Sequence, residues 1–257
     1  MNAKPVSLQL YSLREAAAKD FPAVIRAVGE IGYAGVETAG FHGLKPKEVR
    51  KLVEDQGMVI SSFHGPWAKP DNLQEVIDTA GELGVRLASS GFGGEDFKDM
   101  VAIRATAEKV NLMDERLRAA GLTLFIHNHW WEFETIDGRL KYDIFAELAP
   151  RVAFELDAYW AANFGAVDPV DVLKRYARRT PLLHLKDGPL AKGEPMQALG
   201  SGRMRLRPIL AAADPAALRW VVVELDACAT DMLQALRESY DWLVGNELAT
   251  GRRKLAR

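Results

Sequence analysis

The sequence predicts an α/β protein, a single (β/α)8 TIM barrel over residues 1–257. Three observations predict it. The chain has 257 residues, near the usual length of such a barrel. Short apolar runs alternate with longer amphipathic stretches, strand then helix, eight times over. The histidines and the acids that interrupt apolar sequence gather at the ends of the short runs, where barrels of this kind carry their chemistry.

The runs are Val6–Leu10, Gly35–Thr38, Val59–Phe63, Arg86–Ser89, Thr123–His127, Val152–Leu156, Leu182–Leu185 and Trp220–Leu225. Several are apolar at consecutive positions, as strands covered on both faces require. Between the first two, Phe21, Val24, Ile25, Val28 and Ile31 recur at helical spacing. Lys45 to Gln56 reads as a helix stopped by Gly57, Asp71 to Leu83 as one stopped by Gly84, and Phe97 to Ala120 as one stopped by Gly121. The stretch after Trp131 is less regular, with a short helix expected at Tyr142–Leu148. Asp168-Pro169 reads as an N-cap and a first-turn proline opening a helix to Tyr176. Leu206–Ala213 and Thr230–Val244 supply the last helices.

The competing architecture is an open doubly wound sheet, which usually carries a glycine-rich phosphate turn after its first strand. Here Tyr11-Ser12-Leu13-Arg14 follows instead. Length alone also fits two small domains, but no Gly/Ser/Pro-rich linker divides the chain. Gly91-Phe92-Gly93-Gly94 reads as a strand-to-helix loop. Gly200-Ser201-Gly202 lies in a long loop that could cover a ligand; a flexible turn is preferred there over a phosphate contact.

Bulk properties exclude some classes of function. At 48% hydrophobic and 26% charged residues, the composition is that of a globular protein with a sizeable core. A formal charge of −2 argues against a broad nucleic-acid or anionic-membrane footprint. No run reaches the roughly 20 apolar residues of a membrane span. The single cysteine, Cys228, rules out an intrachain disulfide and fits a reducing cytoplasm, the expected location. The N-terminus shows no targeting segment. The basic tail, Arg252-Arg253-Lys254-Leu255-Ala256-Arg257, reads as a solvated end rather than an anion site.

All five histidines fall at or past a predicted strand end: His42, His64, His127, His129 and His184. Two segments echo each other, Val152-Ala153-Phe154-Glu155-Leu156-Asp157-Ala158 and Val221-Val222-Val223-Glu224-Leu225-Asp226-Ala227. Residues two apart on a strand share a face, so each Glu–Asp pair can point one way. Carboxylates in a barrel mouth are costly unless paired, hydrogen-bonded or metal-bound. A site role is preferred for Asp157 and Glu224, and a salt-bridge role for Glu155 and Asp226. Mixed imidazole and carboxylate donors suit Mn, Co, Zn or Fe better than calcium. Lys186, beside His184, is either a proton-transfer residue or a rim lysine paired with Asp187. Trp67, Trp130, Trp131, Tyr159 and Trp160 follow the polar strand ends and suit a sugar's apolar C–H faces; core packing is the alternative for one or two.

Taken together, Val6-Ser7-Leu8-Gln9-Leu10-Tyr11-Ser12-Leu13-Arg14, Tyr33-Ala34-Gly35-Val36-Glu37, His127-Asn128-His129-Trp130-Trp131-Glu132-Phe133, Glu155-Leu156-Asp157-Ala158-Tyr159-Trp160 and His184-Leu185-Lys186-Asp187 resemble the sugar phosphate isomerase/epimerase superfamily, the xylose isomerase-like barrels. The resemblance runs along nearly the whole chain. It implies one divalent metal ion, drawn from Mn, Co, Zn, Fe or Mg, held by residues of strands five to eight. Asp157, His184 and Glu224 match that pattern. Where the epimerases place a strand-five glutamate, this chain has His127-Asn128-His129, the form of a branch in which histidine replaces the acid. His127 is assigned as the fourth ligand, with His129 as alternate and Glu132 within reach from the loop.

The resemblance therefore implies a metal-dependent isomerase or epimerase acting on a sugar or keto-sugar by proton abstraction beside a carbonyl. Glu132, Lys186 and Glu224 are the expected catalytic residues, and His64, Trp67, His129 and Trp160 the expected substrate-binding ones. The missing glutamate keeps open a lyase, dehydratase or hydrolase acting on a 3-keto-glycoside or an inosose-like cyclitol. A non-catalytic sugar-binding barrel is a third reading. The expected partner is a small sugar or keto-sugar, with no nucleic acid and no membrane. A homo-oligomer is compatible with the fold, but no interface signal points to one.

Overall fold

The computed structural model describes residues 3–252, so the basic tail from 253 onward lies outside the described residues. All eight predicted strands form, within one or two residues of their expected bounds: β1 Lys4–Gln9, β2 Gly35–Ala39, β3 Val59–His64, β4 Leu87–Ser90, β5 Thr123–His127, β6 Ala153–Asp157, β7 Leu182–Leu185 and β8 Trp220–Val223. They pair in parallel in the order β3-β2-β1-β8-β7-β6-β5-β4, which wraps the sheet into a nearly closed TIM barrel. No ladder joins β3 to β4. The gap is spanned by the chain after β3, where the Ala68 N–H donates to Ser89 O at 2.8 Å and the Ser90 hydroxyl donates to Ala68 O at 2.9 Å.

Helices α1 Arg14–Ile31, α2 Pro46–Asp55, α3 Leu73–Leu83, α4 Met100–Ala119, α5 Lys141–Leu148, α6 Pro169–Tyr176, α7 Leu206–Ala212 and α8 Met232–Gly245 follow the strands in turn. Helix α1 begins a full segment earlier than the periodicity predicts. It breaks at Asp20, whose extended backbone and side-chain bond to the Ala23 N–H open the predicted Phe21–Ile31 helix afresh. The Asp168 carboxylate caps α6 through the Val170 N–H, as the Asp-Pro signal requires. The irregular stretch after Trp131 is a 3-10 turn, Trp131–Phe133, then a two-stranded hairpin, Thr135–Ile136 with Arg139–Leu140. Its loop is Asp137-Gly138, with φ of 50° and 77°, the left-handed pair that a two-residue hairpin turn needs.

Strand alternation sorts the side chains. Val6, Leu8, Val36, Phe154, Leu156, Leu183, Leu185, Val221 and Val223 face outward and are buried beneath the helices. Inside the barrel, Leu87, Phe125, Ala153 and Leu182 pack with Trp220 as an apolar plug. Two residues further along four of those strands stand Ser89, His127, Glu155 and His184, all buried. The barrel interior is thus apolar at its N-terminal end and polar towards its C-terminal mouth. A two-residue strand, Ala249–Thr250, pairs with the start of β1, and the Arg252 guanidinium binds the carbonyls of Gly29 and Gln56. Arg252 is therefore packed against α1 rather than part of a loose end.

Among the described residues, no helix is long and apolar enough to cross a membrane.

Candidate metal centre and its cavity

The His-Asn-His segment works by alternation. His127 and His129 turn into the mouth of the barrel, while Asn128 turns to the neighbouring strand. There the Asn128 amide donates to Asp157 O at 3.1 Å, and its oxygen accepts the Asp157 N–H at 3.0 Å. Two further clips come from the turn after β1. The Ser12 hydroxyl accepts the Leu225 N–H at 3.0 Å, and Arg14 donates to Asp226 O at 2.9 Å. The Tyr11-Ser12-Leu13-Arg14 segment that stands where a phosphate turn would be thus holds the exit of β8.

These strand ends bring His127, Asp157, His184 and Glu224 together, each buried, with one donor atom apiece and all four atoms within 4.8 Å of one another. The donor set fits a divalent cation. His127 Nε2 is buried without a hydrogen-bond partner and lies 3.5 Å from Asp157 Oδ2, whose ionic partner is Lys186. An unpaired buried nitrogen is costly, and a cation between His127 and Asp157 would satisfy it. His184 Nδ1 lies 3.1 Å from Glu224 Oε2.

Lys186 is the cation closest to this cluster. Its ammonium is buried and lies 3.0 Å from Asp157 Oδ2, 2.9 Å from Glu224 Oε2 and 2.7 Å from Asp226 Oδ2. It does not pair with Asp187. The Asp187 carboxylate is buried and accepts four backbone N–H groups, from Gly188, Gly200, Gly202 and Met204, at 2.8–3.1 Å. The Gly200-Ser201-Gly202 turn is therefore an anion-binding nest already filled by the chain's own carboxylate, not a flexible turn. Gly202 has no alternative there, since a Cβ would lie 2.2 Å from Asp187 Oδ1.

Burial and charge set the protonation states. For Lys186, burial opposes the charged form, but Asp157, Asp226 and Glu224 outweigh it and hold the ammonium well above its ordinary pKa. Burial likewise pushes Glu224 up, and Lys186 and His184 outweigh it, keeping the carboxylate ionised. Burial raises Asp226 despite Lys186. Burial, then His184 and His64, keeps His127 neutral, the form in which imidazole ligates. Burial opposes charging His184, but Glu155 and Glu37 outweigh it, so its pKa lies well above the ordinary value. Metal binding at this ring would therefore release a proton.

Above the cluster opens a cavity of about 540 Å³, lined by Tyr11, His64, Trp67, His129, Trp160 and Lys186, with Glu224 and Asp226 at its floor. Every expected substrate-binding residue, His64, Trp67, His129 and Trp160, lies on its wall. Trp67 packs against His64 at 4.5 Å between ring centroids and over Gly91, where a Cβ would lie 3.1 Å from its ring. His129 stacks on Trp131 at 4.3 Å, and burial, then the Lys186 charge, lowers its pKa to about 4, so it faces the cavity as a neutral ring.

Of the expected catalytic residues, Lys186 and Glu224 line the cavity; Glu132 does not. Glu132 is buried behind His129, and its carboxylate accepts the His129 N–H at 3.0 Å. His42 stands apart, exposed and stacked on Phe21. Four residues of the barrel mouth were not among the expected site residues; of these, Glu155 and Asp226 were expected as salt-bridge partners, and Asp226 pairs with Lys186. Tyr11 and Asp226 line the cavity, and Glu37 and Glu155 lie beneath it. Asp226 and Glu155 carried a signal in the repeated Glu-Leu-Asp. Glu37 carried one as an acid inside an apolar strand.

The architecture is that of a (β/α)8 barrel with a His/Asp/Glu cluster at the ends of strands five to eight that could hold a metal ion. The chain is a member of the xylose isomerase-like TIM barrel family, whose model matches residues 25–244. Among solved structures, it is similar to a sugar phosphate isomerase/epimerase from Parabacteroides distasonis, at 24% identity and TM-score 0.78, covering 97% of this chain and 96% of that one. It is similar also to a probable 3-DHS dehydratase from Bacillus anthracis, at 14% identity and TM-score 0.72, covering 93% and 98%. A third is a family 2 AP endonuclease from Brucella melitensis, at 16% identity and TM-score 0.69, covering 94% and 98%. At these identities the likeness is one of fold. No functionally curated protein matches the sequence.

Proposed function

We propose that the protein is a metal-dependent isomerase or epimerase of a sugar or keto-sugar, working by proton abstraction beside a carbonyl. One observation carries the reading. The four-donor cluster, with His127 Nε2 unpartnered, underlies a cavity walled by tryptophans. His127, Asp157, His184 and Glu224 would hold the cation. When bound, it supplies Lewis-acid polarisation of a substrate carbonyl and its neighbouring oxygen.

The chain's own residues do the rest. Trp67 and Trp160 take the apolar faces of the sugar, and the neutral His129 and His64 rings offer hydrogen bonds to its hydroxyls. Asp226 faces the cavity, stands outside the four-donor set, and has a pKa raised by burial, so it is suited to accept the proton from carbon. Lys186 stays charged between Asp226 and Glu224 and stabilises the enediolate as it forms. Glu132 acts through His129, whose loop it fixes. The cavity's size, about 540 Å³, and the net charge of −2 favour a small molecule over a nucleic acid as substrate.

A specific observation favours a second reading, a lyase or dehydratase on a 3-keto-glycoside or inosose-like cyclitol. Both carboxylates lining the cavity, Glu224 and Asp226, stand just past β8, and the β5 side offers only imidazoles. A symmetrical two-carboxylate epimerisation therefore lacks its second partner, whereas one-base isomerisation and elimination do not need it. Screening the purified, metal-loaded protein against ketoses and keto-sugars by mass spectrometry separates the two. Mass-neutral conversion supports the first, and loss of water or an aglycone the second. Unchanged metal content in Asp157→Ala would sink both.

A further inference from the structure

Beside this cluster, and sharing His184 with it, lies a second convergence of donors whose two carboxylates the proposed reaction leaves unused. Glu37 from β2, His64 from β3, Glu155 from β6 and His184 from β7 each direct one donor atom to a common point, and these atoms also lie within 4.8 Å of one another. Glu37, Glu155 and His184 are fully buried, and the His64 side chain is 11% exposed on the cavity wall. His64 Nε2 lies 2.6 Å from Glu155 Oε2 and 3.3 Å from Glu37 Oε1. His184 Nε2 lies 2.8 Å from Glu37 Oε1 and 3.1 Å from Glu155 Oε1. A tetrahedral ion with bonds of about 2.0–2.2 Å sets neighbouring donors about 3.3–3.6 Å apart. The four contacts, at 2.6–3.3 Å, lie at or inside that spacing, with Glu155 meeting His64 and His184 through different oxygens.

Its surroundings are those of a ligand set. The Gln9 amide donates to Glu37 Oε1 at 2.5 Å, and the Ser62 hydroxyl donates to Glu37 Oε2, so both carboxylate oxygens are oriented from behind. Glu155 Oε1 is buried, and its nearest donor is the shared His184 Nε2 at 3.1 Å. Among the described residues, no lysine or arginine pairs with Glu37 or Glu155, and the first centre's cation would be neutralised by Asp157 and Glu224. Two buried carboxylates thus share two imidazoles, one of which already turns its Nδ1 to the first centre.

We propose that Glu37, His64, Glu155 and the Nε2 face of His184 form a second divalent-cation site, beside the first and suited to a borderline metal such as zinc. His184 then stands between the two centres, Nδ1 to one and Nε2 to the other. With both filled, its ring is a bridging imidazolate and its last proton has gone to solvent. Occupancy of one centre changes the affinity of the other through this ring. The inference does not rest on the sugar chemistry above.

The test is zinc alone, added to chelator-stripped protein and counted by elemental analysis after dialysis, with anomalous diffraction at the zinc edge to place the ions. Two ions per wild-type chain are expected, one at each cluster, with one ion left in Glu155→Gln and in His64→Asn. His64 is partly exposed and keeps the test open should the buried glutamine variant fail to fold. The wild-type anomalous map needs no variant at all. A single ion at His127, Asp157, His184 and Glu224, lost in Asp157→Asn and kept in His64→Asn, overturns this inference and leaves the first centre standing. A single ion at the second quartet, kept in Asp157→Asn, does the reverse.

Discussion

Asn128 binds both main-chain polar groups of Asp157, donating to its carbonyl and accepting from its N–H. The register of β5 and β6 pairs His127 with Glu155 as its last step, and Asn128 continues the coupling one position further, beneath the candidate ligands. Its side chain does the work of a strand where the strand has ended.

Asn128→Ala should therefore leave the buried N–H and C=O of Asp157 unpaired and lower stability by about 2–4 kcal/mol. Asn128→Asp keeps the acceptor but sets a buried carboxylate oxygen against the Asp157 carbonyl, so a loss at least as large is expected. Divalent-metal affinity should fall in both, because Asp157 loses its backbone anchor. Urea unfolding and a metal competition titration measure the two effects. Unchanged affinity in Asn128→Ala would separate the clamp from the centre.

Lys186 and a divalent ion address the same oxygens, Asp157 Oδ2 and Glu224 Oε2. Without metal, Lys186→Met strands three carboxylates and should cost about 3–5 kcal/mol, the range for breaking a buried ion pair. With a competing charge removed, the same variant should bind Mn²⁺ about tenfold or more tightly, and the rise in melting temperature on adding Mn²⁺ should exceed that of the wild type. Weaker binding in the variant would mean that the lysine organises the ligands rather than opposing the ion.

The four N–H groups on Asp187 come from residues spread over Gly188 to Met204. Asn at this position offers one acceptor oxygen and turns an N–H₂ towards donors, so Asp187→Asn should lose about 2–3 kcal/mol. Loosening should be local. Limited proteolysis should cut between residues 189 and 203 faster than in the wild type, with far-ultraviolet circular dichroism unchanged. Equal cleavage rates would show that the loop is held by other contacts.

This loop marks the limit of what the sequence discloses. The strands are legible because each is apolar at consecutive positions, and the four expected ligands converge because strand ends converge in any barrel. Asp187 is not legible as a clip, since its partners lie up to seventeen residues away and are backbone atoms, with only the glycines hinting at a tight approach. Lys186 is legible as a neighbour of His184 but not as the partner of Asp157, Glu224 and Asp226, which requires knowing that β7 lies between β6 and β8. The meeting of Glu37 with Glu155 is hidden for the converse reason. Their side chains meet across the barrel, at a distance no ladder register encodes.

Glu132 offers a test through pH. Burial raises its pKa from an ordinary 4.5 to about 8, against the pull of the His129 N–H and the loop backbone. Between those values the folded chain keeps a proton that the unfolded chain releases, so this group's contribution is fully present below about pH 4.5 and is lost as pH rises through about 8. Gln at this position cannot titrate, and its carbonyl can still accept the His129 N–H. Glu132→Gln should therefore match the wild type's pH dependence up to about pH 4.5 and gain on it steadily towards about pH 9, read as the difference between urea-derived unfolding free energies measured across that range. The use of a difference cancels the histidines and the Lys186 cluster, which titrate alike in both proteins. Parallel curves would mean that Glu132 is ionised in the folded barrel at neutral pH, in direct reach of a cation after all.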